Sequence, residues 1–424
     1  MYKEIFNIQK EKINEIISFT YNNNHSEFYK KKYKELPIIN SYSDFQKIPF
    51  LEKKEIMGAG LKNFTFTNQG DVIRYMFSSG TTGKPLITSH NKISPLIPER
   101  EKLFEKLNLK KILILFPVSI LNDKIPAIPN NQLGIPGDIN NLPLMSEMIK
   151  KTDINGIVTT PTILEFFIIE LKKKNFNFEQ IKWIELSGEF CTHQRTKLIE
   201  NIFPNAYIEY LWGSTETGGH KGYRCEHLYK KPSNIFHFFT NHHFLEIINE
   251  KGAVLESKQE GEIVHTDLYK KATTLIRYKT GDLGKINITN CPCGNPYTIE
   301  LLGRMNYDRL KIQGTVLHTQ AIENALDKIR EYIEPGFRMN VYEKKIGSQI
   351  IPKLALSLIL KDKNNQPYLK EIITEKISKN LYLTPTKTLY DLVDKKIFMP
   401  LSIKFTNNFP KENKTKHIIP DINI

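Results

Sequence analysis

The chain has 424 residues, of which 40% are hydrophobic and 25% are charged, and its formal net charge at pH 7 is +14. This length is sufficient for one large domain with a sizeable core and a smaller domain beside it. No run approaches the roughly 18 uninterrupted apolar residues of a membrane helix, so a soluble protein is expected. The lysines are dispersed and form no basic run interleaved with aromatics, which argues against a nucleic-acid-binding protein.

The pattern of apolar residues changes along the chain. Residues 1–20 have helical spacing and lack the apolar core of a signal peptide, which predicts an amino-terminal helix in a cytoplasmic protein. Strand-like runs at 111–117 and 156–160 then alternate with helical stretches at 162–174 and 192–202, and this alternation predicts an α/β fold with parallel strands.

The second half of the chain changes character twice. Shorter strand runs beginning at Gly261 predict a small β subdomain. After Arg304 the order becomes strand, helix at 319–332, strand at 354–360 and helix at 370–381, which predicts a separate α+β unit. We therefore predict a large domain over residues 1–303 and a small, mobile one over residues 304–424.

The most informative stretch follows a strand-like segment and reads Phe77-Ser78-Ser79-Gly80-Thr81-Thr82-Gly83-Lys84-Pro85. Its glycines permit a tight turn, its hydroxyls and N–H groups can surround phosphate oxygens, and Lys84 adds a positive charge. The P-loop of nucleoside triphosphatases would need four residues between Gly and Gly-Lys, whereas two intervene here and Pro85 follows. A Ser/Thr/Gly-rich surface turn is the other interpretation.

This loop resembles the phosphate loop of the adenylate-forming superfamily, which contains acyl- and aryl-CoA synthetases, luciferases and adenylation domains. Further stretches resemble that family's motifs and follow in its order: Ser187-Gly188-Glu189, Tyr210-Leu211-Trp212-Gly213-Ser214-Thr215-Glu216, Arg277-Tyr278-Lys279-Thr280-Gly281-Asp282-Leu283, Gly303-Arg304 and Pro410-Lys411. The resemblance covers roughly residues 26 to 418. The short length, the sequence around Asp282 and the pair Cys291-Pro-Cys293 are most similar to those of phenylacetate-CoA ligases.

The resemblance implies an enzyme that joins a carboxylic acid to the AMP of ATP and then transfers the acyl group to a thiol. It assigns the phosphates on the pyrophosphate side to Ser78, Ser79, Gly80, Thr81, Thr82, Gly83 and Lys84. It assigns Mg²⁺ to Glu216, because a carboxylate suits a hard cation, and the ribose hydroxyls to Asp282. Trp212 would stack on adenine, although a core tryptophan is equally compatible with the residue type.

Two catalytic assignments at the carboxyl-terminal side depart from the family pattern. Arg304 would neutralise phosphate, or alternatively form an interdomain salt bridge. The acidic hinge expected two residues later is replaced, because Asn306 or Tyr307 stands there and Asp308 follows. The resemblance implies that the catalytic lysine is Lys414 or Lys416. Lys414 is preferred, since the sequence around it is closest to that of phenylacetate-CoA ligases. A charged flexible tail is the alternative interpretation of this segment.

The four cysteines are too few for a disulfide scaffold of this length. Cys225, Cys291, Cys293 and His237 supply ligand types suited to a structural, tetrahedral Zn²⁺, and some relatives of phenylacetate-CoA ligases bind zinc with such a set. His227 is the substitute for His237, and free thiols are the alternative to a metal site.

The acid and the acceptor stay open. The segment from Leu107 to Thr160 is short and lacks the family's Gly-rich substrate segment, so an aryl or short acyl acid is as specific as the sequence allows. Coenzyme A is the default acceptor, and the phosphopantetheine of an acyl carrier protein is the alternative, since the basic chain suits an acidic partner. A non-catalytic nucleotide-binding relative is the third possibility, and monomer and homodimer are both compatible.

Overall fold

A computed structural model of the protein describes residues 1–77, 86–91, 100–116, 132–188, 191, 193–228, 234–304, 309–312, 315–346, 349–362, 366–384, 386–409 and 418–421. The chain divides into a large unit, Met1–Glu189 with Leu198–Leu301, and a small unit, Phe190–Lys197 with Leu302–Ile424. The domains predicted from sequence stay a prediction, and the grouping of residues 190–197 with the small unit was not anticipated. None of the helices in the described ranges is long and apolar enough to cross a membrane, and a cytoplasmic location stays a prediction.

The helices lie at both ends of the chain and between the strands of the large unit. They are α1 (Tyr2–Tyr21), α2 (Phe28–Tyr33), α3 (Tyr42–Gln46), α4 (Lys53–Asn63), α5 (Arg100–Lys106), α6 (Leu142–Lys151), α7 (Pro161–Lys173), α8 (His193–Ile202), α9 (Thr319–Leu326), α10 (Gln366–Asn380) and α11 (Leu389–Asp394). The start of α7 shows why such boundaries form: Pro161 occupies the first turn, and the Thr160 hydroxyl accepts a hydrogen bond from the Ile163 amide at 3.3 Å.

Two of the sheets in the large unit are formed by the first seven strands. Strands β1 (Arg74–Phe77) and β2 (Ile87–His90) form an antiparallel pair. A five-stranded parallel sheet has the order β4-β3-β5-β6-β7 and consists of β3 (Lys111–Leu115), β4 (Leu133–Pro136), β5 (Gly156–Thr159), β6 (Trp183–Leu186) and β7 (Tyr207–Tyr210). Strands β5 and β6 are buried along their whole length, as expected of parallel strands covered on both faces.

A seven-stranded sheet completes the large unit. Its strands are β8 (Trp212–Ser214), β9 (Gly219–Tyr223), β10 (Ile235–Phe238), β11 (His243–Ile248), β12 (Gly261–Asp267), β13 (Tyr278–Ile288) and β14 (Tyr297–Arg304), in the order β11-β12-β13-β14-β10-β9-β8. The registered pairs of this sheet are antiparallel, for example β11 with β12 and β9 with β10. This sheet corresponds to the β subdomain predicted after Gly261, but it begins earlier, at Trp212.

The small unit has its own sheet and its own core. Its strands are β15 (Arg309–Ile312), β16 (Thr315–His318), β17 (Arg338–Ile346), β18 (Gln349–Leu358), β19 (Ser402–Phe405) and β20 (Ile418–Asp421). Four of them form a mixed sheet in the order β19-β18-β17-β20. Apolar residues of α9, α10 and α11 pack with those of this sheet in one cluster. The α/β fold class with a large and a small domain is therefore confirmed.

The buried guanidinium of Arg277 connects the amino-terminal segment to the seven-stranded sheet. It donates hydrogen bonds to the carbonyls of Gln46 and Ile48 at 2.6 and 2.7 Å, and it pairs with Glu246 on β11 at 3.0 Å. Burial raises the pKa of Glu246, and the charge of Arg277 opposes that shift. Arg277 stands first in the motif that contains Asp282, but its contacts are structural.

A pair of buried histidines lies on neighbouring strands of the seven-stranded sheet. His265 Nε2 lies 2.9 Å from His243 Nδ1 and 3.5 Å from Asp267 Oδ1. Burial holds the pKa of both histidines well below the usual value, so both are neutral in the folded protein. The unfolded chain, in contrast, protonates them below about pH 6.5.

Low pH is therefore expected to destabilise the folded protein by protonating these histidines in the unfolded chain. Because the unfolded state binds more protons, the free energy of unfolding should fall between pH 7 and 5, by about 2 kcal/mol for each neutral histidine. A His265→Gln variant should lose less stability over this range than the unaltered protein, whereas a variant of the exposed His25, His25→Gln, should not differ. Urea unfolding at several pH values measures this, and identical pH slopes for all three proteins would contradict it.

Candidate functional site

The loop predicted to hold phosphates connects β1 to β2. These strands pair from Arg74 opposite His90 to Phe77 opposite Ile87, and the connection between the last pair contains residues 78–86. Ser78, Ser79, Gly80, Thr81, Thr82, Gly83 and Lys84 lie outside the described residues. The phosphate role of the loop stays a prediction, and the structure defines the two strands from which the loop starts and to which it returns.

Ser187 and Gly188 follow β6 at the carboxyl end of the parallel sheet. The Ser187 amide donates a hydrogen bond to the Thr159 carbonyl at 3.1 Å, which continues the register of β5 and β6 for one residue. Gly188 then turns the chain away with a φ of +82°, a conformation that favours glycine. Ligands of open α/β sheets bind at this edge. Glu189, the third residue of the motif, lies outside the described residues.

The predicted adenine and ribose residues lie side by side. Trp212 begins β8 and Asp282 lies on β13, and the indole Nε1 is 3.4 Å from Asp282 Oδ2. The same carboxylate oxygen is 3.5 Å from the ammonium of Lys221, which also lies 4.2 Å from the centre of the Trp212 ring. The Asp282 amide donates to the hydroxyl of Thr280 at 3.0 Å, which fixes the backbone of the motif.

Glu216 lies in the turn formed by residues 215–218, between β8 and β9. The hydroxyl of Tyr278 lies 3.5 Å from Glu216 Oε1, and Tyr278 is on the same strand as Asp282. The Thr217 hydroxyl donates within the turn and contacts the carbonyls of Ser214 and Gly219 at 2.9 and 3.0 Å. The turn therefore brings the predicted magnesium carboxylate to the strand that carries the predicted ribose carboxylate.

Sequence reasoning missed Lys221 and Tyr278 as members of this group. Lys221 is a lysine with no exposed surface, which is exceptional for this residue type. In a chain with so many lysines the residue type carries no signal, and only the folded structure shows that the ammonium of Lys221 lies beside Trp212 and Asp282. Tyr278 stands inside the motif that contains Asp282, but the sequence gives no role to its side chain.

The four predicted zinc ligands form one cluster. Suitable atoms of Cys225, His237, Cys291 and Cys293 all lie within 4.8 Å of one another. The sulfurs of Cys225 and Cys291 are 3.5 Å apart, and Cys293 Sγ is 3.3 Å from His237 Nε2. His237 Nδ1 lies 2.8 Å from the Tyr297 carbonyl, which favours the proton on Nδ1 and leaves the Nε2 lone pair facing the thiols.

This geometry distinguishes between the two candidate histidines. His227 turns its ring towards the exposed Glu226, at 3.4 Å, whereas His237 faces the cysteines. Burial raises the pKa of the Cys225 thiol to about 12, so without a cation this sulfur keeps its proton. The histidine pair on β11 and β12 forms a second group with Asp267, and there the ammonium of Lys271, 2.8 Å from Asp267 Oδ1, already supplies the positive charge.

Three predicted catalytic side chains are not located. Lys414 and Lys416 lie outside the described residues, as do the hinge candidates Asn306, Tyr307 and Asp308. Arg304 ends β14, and its side chain is outside what the structure describes. Their roles stay predictions. Gly213 and Ser214 lie on β8, and Thr215 begins the Glu216 turn; their role in binding nucleotide stays a prediction.

Known proteins resemble the chain in sequence over most of its length. A phenylacetate-coenzyme A ligase of Thermus thermophilus is 22% identical over 397 residues, covering 88% of this chain and 84% of that protein. A D-alanine–D-alanyl carrier protein ligase of Lactococcus lactis is also 22% identical, over 334 residues that cover 74% of this chain and 65% of that protein. No protein-family model matches.

Solved structures share the fold. A 2-hydroxyisobutyryl-CoA ligase in its postadenylation state superposes with a TM-score of 0.72 at 12% identity, covering 97% of this chain and 88% of that one. An anthranilate CoA ligase gives 0.55 at 14% identity, covering 84% and 67%. Both of these solved structures contain an acyl adenylate. The similar ligases, in sequence and in fold, support the adenylate-forming superfamily, the family predicted from sequence.

Proposed function

We propose that the protein uses ATP to convert a carboxylic acid into an acyl adenylate, releases pyrophosphate, and then transfers the acyl group to a thiol. The observation that carries the proposal is that Trp212 and Glu216, on β8 and the turn after it, lie close to Asp282 and Tyr278 on β13. The carboxylate of Asp282 beside the indole of Trp212 suits the ribose and base of a nucleoside. The carboxylate of Glu216, in the turn after β8, suits the metal ion bound to the phosphates of the nucleotide.

Asp282 would accept hydrogen bonds from both ribose hydroxyls. Its Oδ2 already faces Lys221 and the indole N–H of Trp212, so the carboxylate is held in one orientation. Because Lys221 covers one face of Trp212, adenine would stack only on the opposite face or along its edge. This restricts the adenine prediction and leaves the ribose prediction unchanged.

Glu216 would hold Mg²⁺ together with phosphate oxygens of ATP. A single carboxylate supported by a hydroxyl, here that of Tyr278, fits the usual mode in which Mg²⁺ is bound by one or two carboxylates and by the nucleotide. The ion would stabilise the charge that develops on the phosphates. The loop at residues 78–84 would donate N–H and hydroxyl groups to the departing pyrophosphate, and Arg304 would neutralise phosphate charge.

The acyl acceptor is proposed to be coenzyme A, and the substrate an aryl or short acyl acid. The similarity to phenylacetate-coenzyme A ligases supports this choice, at about 22% identity. Loading of a phosphopantetheinyl carrier protein is the second candidate, favoured by the similarity to carrier protein ligases. Both acceptors present the same thiol, so transfer of a radiolabelled acyl group to coenzyme A or to carrier protein distinguishes them.

Zn²⁺ is proposed as a structural ion bound by Cys225, His237, Cys291 and Cys293. Tetrahedral zinc with these ligands requires neighbouring donor atoms roughly 3.3–3.8 Å apart. The separations of 3.5 Å between Cys225 and Cys291 and 3.3 Å between Cys293 and His237 fit this requirement. With four protein ligands no position is open for substrate, so the ion would cross-link three segments of the seven-stranded sheet and its loops.

ATP–pyrophosphate exchange across a panel of aryl and aliphatic carboxylates tests the proposed function. One class of acid should support rapid exchange that depends on Mg²⁺. Exchange measures adenylate formation alone, so the result does not depend on knowing the thiol. Absence of exchange with every acid, from protein that binds ATP, would favour the non-catalytic nucleotide-binding relative.

The same assay decides between the two candidate lysines. Lys414→Ala is expected to lower exchange roughly tenfold or more, because a charge-assisted contact to the reacting carboxylate and the α-phosphate is lost. Lys416→Ala should retain most of the activity and serves as the matched control, two residues away in the same segment. Equal rates in the two variants would overturn the choice of Lys414.

A further inference from the structure

The turn that carries Glu216 is held by side chains from distant parts of the large unit. Arg74 Nη2 donates a hydrogen bond to the Gly218 carbonyl at 2.6 Å, and Lys271 Nζ donates to the Thr217 carbonyl at 2.9 Å. The hydroxyl of Thr88 lies 3.4 Å from the Thr215 carbonyl. Carbonyls in a tight turn lack partners in a strand ladder, and these side chains satisfy them.

Both cations are buried. Arg74 is 5% exposed and Lys271 is 3% exposed. Burial lowers the pKa of Arg74 to about 10, so it remains charged at neutral pH. The charge of Lys271 is balanced by Asp267, which also accepts a hydrogen bond from the Leu275 amide at 2.7 Å. Burying two cations to bind two peptide carbonyls is costly, and a simple surface turn would not require it.

The turn is also packed tightly against β2. A Cβ atom at Gly218 would lie 2.4 Å from His90 Nδ1, and Gly218 has a φ of +76°, so only glycine fits. His90 pairs with Arg74 across β1 and β2. The strand pair from which the predicted phosphate loop emerges is therefore attached directly to the turn that carries Glu216, by the hydrogen bonds of Arg74 and Thr88 and by one close packing contact.

We infer that Arg74 and Lys271 are positioning residues, which hold the Glu216 turn in place beside strands β1 and β2 so that its carboxylate meets a metal-bound nucleotide. Both side chains donate to backbone carbonyls of the turn, and the proposal gives neither a contact with substrate. Arg74 fastens the turn to the strands of the phosphate loop, and Lys271 fastens it to the end of β12 through Asp267. The inference has a mechanical half, that the two side chains hold the turn in place, and a functional half, that this placement serves Mg²⁺ binding. Only the functional half rests on the proposed function.

Amide hydrogen exchange tests the mechanical half without any activity assay. Lys271→Met removes the ammonium and keeps much of the volume, and amides of residues 212–219 should then exchange about tenfold faster or more, because the turn opens more often. Lys271→Arg should restore protection. The control is Lys32→Met, which removes a largely buried ion pair with Glu55 outside the turn. Unchanged protection in Lys271→Met would overturn the inference.

The Mg²⁺ dependence tests the functional half. The Mg²⁺ concentration giving half-maximal ATP–pyrophosphate exchange should rise roughly tenfold in Lys271→Met and in Arg74→Gln, the loss expected for one charge-assisted hydrogen bond. The Michaelis constant for the acid should stay within about twofold. A merely structural role would lower activity at all Mg²⁺ concentrations alike, and that result would overturn the positioning role.

Failure of the proposed function gives a different pattern. If the unaltered protein shows no ATP–pyrophosphate exchange with any acid, calorimetric titration with ATP at low and high Mg²⁺ replaces the exchange assay. Weaker Mg²⁺-dependent ATP binding in Lys271→Met but not in Lys32→Met would then support the positioning role. Equal binding in the two variants would overturn it. Should Lys271→Met not fold, Arg74→Gln is measured in its place, with the same expected outcomes.

Discussion

Replacing Glu216 by Gln is expected to lower the rate of ATP–pyrophosphate exchange roughly 100- to 1,000-fold, the loss typical of removing one preorganised charge from a reacting centre. Glutamine has nearly the same shape and can keep a hydrogen bond to the Tyr278 hydroxyl, which lies 3.5 Å from Glu216 Oε1. It cannot neutralise Mg²⁺. The variant should therefore fold normally, bind the adenosine part of ATP, and fail in the chemical step.

A matched control for this variant is Glu170→Gln. Glu170 is a partly buried carboxylate on α7 that pairs with Lys173, and its replacement should leave exchange unchanged. Thermal unfolding of both variants should coincide with that of the unaltered protein within a few degrees. If Glu216→Gln kept exchange within about threefold of normal at saturating Mg²⁺, the assignment of Glu216 to the metal would be wrong.

Regular elements were predictable where local pattern and burial agree. The alternation of apolar runs and helical stretches predicted parallel strands, and the runs at 111–117 and 156–160 correspond to β3 and β5 of the parallel sheet. The helix predicted at 319–332 is shorter, because the α-helix ends at Leu326 and continues as a single 3₁₀ turn. Beyond it Ile333 pairs with Leu360, a long-range bridge that helical spacing could not reveal.

The site was predictable only where a motif gives a residue its place. Trp212, Glu216 and Asp282 were proposed from the order of motifs, and the structure brings the first and last within hydrogen-bonding distance. Arg74 and Lys271 were not predicted as site residues, because each acts on a backbone carbonyl that is distant in sequence. Arg74 contacts the carbonyl of Gly218, and Lys271 contacts that of Thr217. In a chain with 60 basic residues, residue type alone does not distinguish these two. Their burial, which Lys221 and Arg277 share, together with their hydrogen bonds to the turn, does.

The cysteine cluster was predictable from sequence only in part. The ligand types were evident from sequence, but the choice between His227 and His237 was open. Strand pairing settles which imidazole faces the thiols: on β10, His237 is opposite Tyr223 on one side and Thr298 on the other. This register places it between the segment that contains Cys225 and the turn that precedes β14, which contains the other two cysteines.

Zinc removal is expected to produce the second large effect. Protein purified without added metal should contain about one equivalent of zinc, as a single tetrahedral site implies. Cys293→Ser should lower this content at least tenfold, because serine is a poor zinc ligand. The midpoint of thermal unfolding should fall by roughly 5–10 °C, since losing a cross-link of several kcal/mol shifts it by about 1–2 °C per kcal/mol in a unit of this size.

The location of Cys293 makes this variant informative. Its side chain is exposed, so replacing sulfur by oxygen disturbs little packing, and a large loss of stability must come from the metal. A chelator should lower the unfolding midpoint of the unaltered protein towards that of Cys293→Ser and leave the variant itself unaffected. Cys191→Ala removes a buried thiol outside the cluster and should retain the full zinc content. Equal zinc content in Cys293→Ser and unaltered protein would show that the four side chains do not act as one site.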